Sequence, residues 1–402
     1  MDPIRNPFSP GAGTPPPELV GRGRILEQAE ILFGRTLFGR PEKSLMLTGL
    51  RGVGKTVLLC RLEQMAKEKG FLTIFAEAGE NDRVGEFLVQ GLRKILLDLD
   101  FSAKAKEKIR KALIALRNFA GTLSLKIGDV GIGAEPILGL ADSGSLENDL
   151  TELLLLVSEA AQAQKRAIAI FIDEIQYFAK DEFGALIMAF HRIQQRALPM
   201  VVIGAGLPQL PALAGNLKSY SERLFSFPQI GALSRKDAQD AVEIPIRQAG
   251  EKIERAAVVR IFEKTQGYPY FIQEWGYHAW LKTNEGAVIS KDVIEAVNKD
   301  VLRRLDESFF HVCYDRLTPG EKVFLRYMAE ASKGEPLRME DVVAVSKGKP
   351  GALAQVKKKL EDKGAIYAPR YGVFDFTVPL FGDFMKRTMP LPKKPARSRK
   401  KA

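Results

Sequence analysis

The sequence predicts an α/β fold, a parallel sheet covered by helices, followed by a smaller all-helical unit and a terminal helix-rich unit with a β-hairpin. Three observations carry that reading. Short, uniformly apolar runs, SLMLTG (44–49), AIAIFID (167–173) and MVVIGAG (200–206), alternate with longer helical patterns. Strands buried on both faces of a parallel sheet have this character. After Leu233 the strand patterns stop and four helical patterns follow, and from about residue 306 a third pattern begins.

In chain order, residues 1–18 are rich in Pro and Gly, with PPP at 15–17, and predict a flexible, extended arm. The strand 44–49 is followed by a helix over 56–70 that Gly70 ends. FLTIFAEA (71–78) is the next strand, with two amphipathic helices up to about 118. TLSLKIGDVGIGAEPILG (122–139) alternates with interspersed glycines and suggests a β-hairpin or a glycine-rich insertion. A helix, the strand 167–173, a second helix and the strand 200–206 complete the first unit, taken as 19–232. Residues 233–305 hold the four helices. In 306–389, Thr318 caps a helix with Pro319 at its first position and Glu321 three residues on. Two short helices separated by GKPG come next, and AIYAP, the turn RYG and VFDFTVP form a hairpin. Residues 390–402 are a basic tail. No repeat at solenoid spacing is present.

Composition excludes several classes. The 402 residues are 46% hydrophobic and 27% charged, with 22 prolines and 35 glycines, which is neither collagen-like nor wholly disordered. No run approaches the length of a transmembrane helix, and the amino terminus has no hydrophobic core of signal-peptide type. Cys60 and Cys313 form neither a framework nor a metal cluster, so a reducing, cytoplasmic setting is expected. His191, His278 and His311 lack metal-type spacing, and no local signature suggests a Ser/His/Asp triad. Of the net charge of +11, residues 301–402 carry +10 and the last 13 residues +6, so a polyanionic partner for that quarter is expected.

The chemistry is concentrated in Gly49-Leu50-Arg51-Gly52-Val53-Gly54-Lys55-Thr56, with Val57 behind it, placed directly after a strand and opening a helix. This is a phosphate-binding loop. Its glycines let backbone amides turn inward around phosphates, and the helix amino terminus adds positive potential. Lys55 would reach the β- and γ-phosphates of ATP, and the Thr56 hydroxyl would bind Mg2+. The fold class is therefore a P-loop NTPase. Ile168–Ile172 leads into Asp173-Glu174, an apolar strand ending in two acids. Asp173 is the expected metal ligand and Glu174 the expected general base, which favours ATP hydrolysis over phosphoryl transfer to a small acceptor.

Together with Leu19-Val20-Gly21-Arg22, SYSERLF (219–225), Thr265-Gln266-Gly267-Tyr268-Pro269 and the carboxy-terminal pattern, these motifs resemble the AAA+/STAND ATPases. The likeness is strongest to the bacterial and archaeal origin-recognition-like ATPases, over roughly residues 14–385. It implies that Val20 and Gly21 lie against the adenine, and that Gly267 and Pro269, in a helical lid, pack near the nucleotide. It also implies a winged-helix domain at 306–389. Arg223 stands where an arginine finger would act on a neighbouring subunit's nucleotide in a homo-oligomer; the alternative is a plain surface arginine. Two departures stand out. The polar sensor residue usual at the end of the fourth strand is replaced by Gly204-Ala205-Gly206, and the Gly-x-Pro helix has no clear sensor arginine. Both suggest a slow nucleotide switch.

In the winged helix, Leu353, Val356 and Leu360 share one helical face, leaving Gln355, Lys357 and Lys358 to face elsewhere, with Arg370 in the wing turn. These are the candidate contacts to duplex DNA. The alternative is a switch whose winged helix docks a protein partner. No membrane role is expected.

Overall fold

The computed structural model describes residues 1–11, 13–79, 82–99, 105–125, 139–332 and 334–392. Most of the insertion expected at 122–139 and most of the basic tail lie outside the described residues. The first unit is α1 (Gly23–Leu37), β1 (Ser44–Gly49), α2 (Lys55–Glu68), β2 (Leu72–Glu77), α3 (Val84–Asp98) and α4 (Lys106–Thr122), then α5 (Leu146–Ala163), β3 (Ile168–Asp173), α6 (Lys180–Gln195), β4 (Met200–Gly206), α7 (Leu210–Leu217) and α8 (Ser221–Leu224). Two short strands, β5 (Phe225–Ser226) and β6 (Gln229–Ile230), close it. All strand pairs are parallel, in the order β2-β3-β4-β1-β5, with β6 also on β1. β1 is thus an inner strand, between β4 and the short β5 and β6, and its carboxy-terminal end opens directly into the phosphate loop.

Alternation within the strands feeds two cores. Leu45, Leu47, Phe171 and Ile203 face α1 and α2, whereas Met46, Ile170, Ile172 and Val202 face α3–α6. The first of these cores continues without a break into the lid and the winged helix, through Trp275, Phe310, Phe324 and Phe384.

The lid is α9 (Arg235–Gln248), α10 (Arg255–Thr265), α11 (Pro269–Lys282) and α12 (Lys291–Leu305). The boundary expected at 305 falls inside a continuous helical rod. A π-helical turn, Asp306–Phe310, and α13 (His311–Asp315) extend α12. Phe309 and Phe310 stack against Tyr270 and Phe384, so the aromatic seam shared by lid and winged helix keeps the chain helical across the junction. Then come α14 (Pro319–Ala331), α15 (Met339–Ser346), α16 (Pro350–Asp362), the hairpin β7 (Ile366–Arg370) and β8 (Val373–Phe376), and α17 (Phe381–Thr388). The capping box of Thr318 and Glu321 is present. The helix α17 is an addition to the expected pattern, pinned to the rod where Arg387 Nη2 donates to Asp306 Oδ1 at 2.6 Å. Among the described residues no helix is long and apolar enough to cross a membrane.

The arm expected to be flexible is held down. Phe8 is 1% exposed, packed against Gly276 of α11. The Trp280 indole donates to Asp2 O at 2.8 Å, and Asn6 Nδ2 donates to Tyr277 O at 3.1 Å. Burying a phenyl ring is worth about 2 kcal/mol, enough to order a short segment that composition alone assigns to coil.

Candidate nucleotide site

The loop after β1 needs its glycines for different reasons. A Cβ on Gly49 would lie 2.2 Å from Ile230 O, so this glycine lets β6 close on β1. Gly52 and Gly54 have φ of +79° and +91°, the left-handed region that turns successive amides the same way. Arg22 is 8% exposed and holds this turn, its Nη2 donating to Val53 O at 3.1 Å and to Gly231 O at 2.8 Å. From the lid, Tyr270 N donates to Gly52 O at 3.4 Å.

Lys55 is 5% exposed, with Nζ donating to Leu50 O at 3.0 Å. Burial pushes its pKa down, opposed by the negative charges of Glu174 and Asp173. Asp173, at the end of β3, is 2% exposed and accepts from the Thr56 hydroxyl at 2.5 Å. Burial pushes its carboxyl up, against that hydrogen bond. A hydroxyl and a carboxylate brought together beside a phosphate cradle form a hard oxygen donor set that suits Mg2+. Glu174 adopts left-handed backbone, φ 51° and ψ 35°, rare for a non-glycine residue and typical of strained functional positions. Its carboxylate accepts from Gln176 Nε2.

Gln176 explains the missing polar residue at the end of β4. A Cβ on Gly206 would lie 2.6 Å from Gln176 Oε1, and Leu207 N donates to that oxygen at 3.1 Å. The amide fills the space a side chain on β4 would need, and its Nε2 donates to Glu174.

Gly52, Gly54, Lys55, Thr56 and Glu174 border a cavity of about 600 Å³ that Val20, Arg22, Leu233, Pro269, Ile272 and Glu274 also line. Glu274, 1% exposed, accepts from the Tyr270 hydroxyl at 3.1 Å and lies 3.4 Å from Arg304 Nε. Val20 and Pro269 are thus part of the cavity wall. Gly21 and Gly267 lie outside the cavity wall. Gly21, φ +71°, turns the chain against Asp237. Gly267, φ +73°, allows close approach of the lid to the core, since a Cβ there would lie 2.3 Å from Leu233 O. Gly267→Ala is expected to cost about 2–4 kcal/mol from the left-handed strain and this clash, read as a lower midpoint in chemical denaturation. An unchanged midpoint would mean that the Leu233 backbone yields.

Residues 18–203 match the family model described as AAA ATPase domain. That stretch of the chain is similar to AAA ATPase domains. Residues 307–385 match a family described as a domain of unknown function (DUF8462), and no curated protein matches the sequence. In fold, the chain is similar to the Walker-type ATPase PABY2304 of Pyrococcus abyssi, with 14% identity and a TM-score of 0.58 over 94% of this chain and 99% of that one. It is also similar to the Aeropyrum pernix ORC2 protein in its ADP form, with 15% identity and a TM-score of 0.50 over 94% of this chain and 97% of that one. The resemblance to origin-recognition-like AAA+ ATPases thus holds for the fold, in a chain whose phosphate loop and Glu174 border one cavity.

The remaining candidates lie elsewhere. Arg223 sits on α8, exposed and outside the cavity wall, close enough to His191 to lower that imidazole's pKa after burial and Arg192. On α16, Leu360 is buried and Leu353 and Val356 pack against the core, as their spacing predicts. Gln355 and Lys358 are exposed, as are Arg370 and Tyr371 at the wing. Lys357 differs. Its ammonium turns back to Glu361 Oε1 at 2.5 Å and lies 5.2 Å from the Phe374 ring centre, so it does not project with Lys358.

Proposed function

We propose that the chain is a magnesium-dependent ATPase that works as a slow nucleotide switch, with duplex DNA contacted by the winged helix. The observation that supports this most is the meeting of Lys55, Thr56 and Glu174 on one cavity, with Asp173 behind it accepting from Thr56, under a lid that shares its core with the winged helix. Thr56 and Asp173 would hold Mg2+, which supplies charge neutralisation on the phosphates when bound. The glycine-turned amides and Lys55 would orient the triphosphate. Glu174 would take the proton from the attacking water, with Gln176 fixing its carboxylate. Arg223 is the side chain we assign to a neighbouring subunit's nucleotide, should copies assemble.

The DNA reading rests on the +10 charge of residues 301–402 and on exposed Lys358 and Arg370. The inward turn of Lys357 favours the second reading, a winged helix that docks a protein. Steady-state ATP hydrolysis with and without duplex DNA separates the two. Stimulation by DNA that disappears in Glu174→Gln is the expected result. Replacing both Lys358 and Arg370 with alanine should then flatten the log-log salt dependence of DNA binding by roughly two units. Hydrolysis indifferent to DNA would move the assignment to a protein partner.

A further inference from the structure

The amino-terminal segment does more than dock. Past Phe8 it runs along the cavity, where Ser9, Gly11, Gly13, Thr14 and Pro16 form part of the wall. Its two ends rest on the lid. Ser9 N donates to Gln273 Oε1 at 3.2 Å, and Gln248 Nε2 donates to Glu18 Oε1 at 2.8 Å. Between them it touches the ATPase core, since a Cβ on Gly13 would lie only 3.3 Å from Thr56 Cγ2. Gly13 takes φ +70°, which brings backbone rather than a side chain against the phosphate-loop helix. PPP at 15–17 stiffens the path out, because each ring fixes φ.

We infer that residues 1–11 and 13–18 form a strap across the nucleotide cavity, anchored by Phe8, which sets how fast nucleotide enters and leaves. The inference rests on the nucleotide assignment above and adds a gate to it. The anchor is specific: a Cβ on Gly276 would lie 2.7 Å from the Phe8 ring, so the pocket for the phenyl exists only because α11 carries glycine there. With both ends on the lid and its middle on Thr56, the strap bridges the two bodies that must part for exchange. A gate slows entry and exit together. It therefore changes both rate constants more than their ratio.

The test is stopped-flow binding and release of a fluorescent ATP analogue by the full chain, comparing the parent with Phe8→Ala and with Ile4→Ala. Ile4 is 94% exposed and serves as a control on the same segment. Truncating a buried phenyl should raise the release rate about ten- to a hundredfold, with a parallel rise in the association rate and a smaller change in Kd. Ile4→Ala should match the parent. Unchanged release in a folded Phe8→Ala protein overturns the strap, and so does faster release with unaltered association, which marks a damaged lid. If Phe8→Ala does not fold, hydrogen exchange on the unaltered chain decides. Nucleotide should slow exchange of the Ser9, Gly11 and Gly13 amides, and exchange there unaffected by nucleotide overturns the strap. A parent chain that binds no nucleotide refutes the site assignment itself, which is a distinguishable failure.

Discussion

Lys55→Ala is expected to abolish nucleotide binding, with a loss of about a hundredfold or more. The ammonium is buried between the loop and two carboxylates, and Glu174 and Asp173 oppose the burial that lowers its pKa. Removing it takes away the charge-assisted bonds to the phosphates, worth about 1.5–3 kcal/mol, and leaves two acids facing a polyanion. At 1.4 kcal/mol per tenfold the direct loss alone approaches a hundredfold, and the repulsion adds to it. Titration calorimetry with ATP reads this, and circular dichroism confirms that the fold survives. Retained affinity would mean that the glycine loop is a structural turn.

Glu174→Gln separates binding from chemistry. The amide keeps the size of the side chain and can still accept from Gln176. Nucleotide affinity should therefore stay within about threefold, while hydrolysis falls at least ten- to a hundredfold because the group that accepts the proton is gone. Single-turnover phosphate release against nucleotide affinity gives both numbers. Undiminished turnover would place the base elsewhere in the cavity.

The parts of this site that were legible in the sequence are those built from neighbours in the chain. β1, the phosphate loop and α2 are contiguous, and β3 carries its acids at the end of an apolar run, so periodicity and spacing placed them. The capping box at Thr318 was readable for the same reason. What escaped depends on contacts between distant residues. Phe8 needs Gly276, and a Pro- and Gly-rich segment by itself gives no sign of a receptor on a helix some 270 positions away. Gln176 acts through the space above Gly206, a relation made by the register of β3 and β4. Arg22 appears in a motif, yet its bonds to Val53 and Gly231 show only when β6 closes on β1. The strands β5 and β6 have two residues each, too few for any alternation to register. Helical geometry placed Lys357 off the packed face of Leu353, Val356 and Leu360, but the acid one turn on, Glu361, and the wing ring Phe374 draw it back.

The rod from Lys291 to Asp315 has a mechanical consequence. At 1.5 Å per residue its 25 residues span about 37 Å. One end belongs to the lid and the other reaches the winged helix, so it works as a lever. A lid rotation of about 10° would sweep the far end through roughly 6 Å, comparable with the pitch of one helical turn. The Arg387–Asp306 pair fastens α17 at the π-helical turn, so the terminal domain is geared to the lever as well as resting on it. Small closures around a phosphate would thus reach the wing surface enlarged.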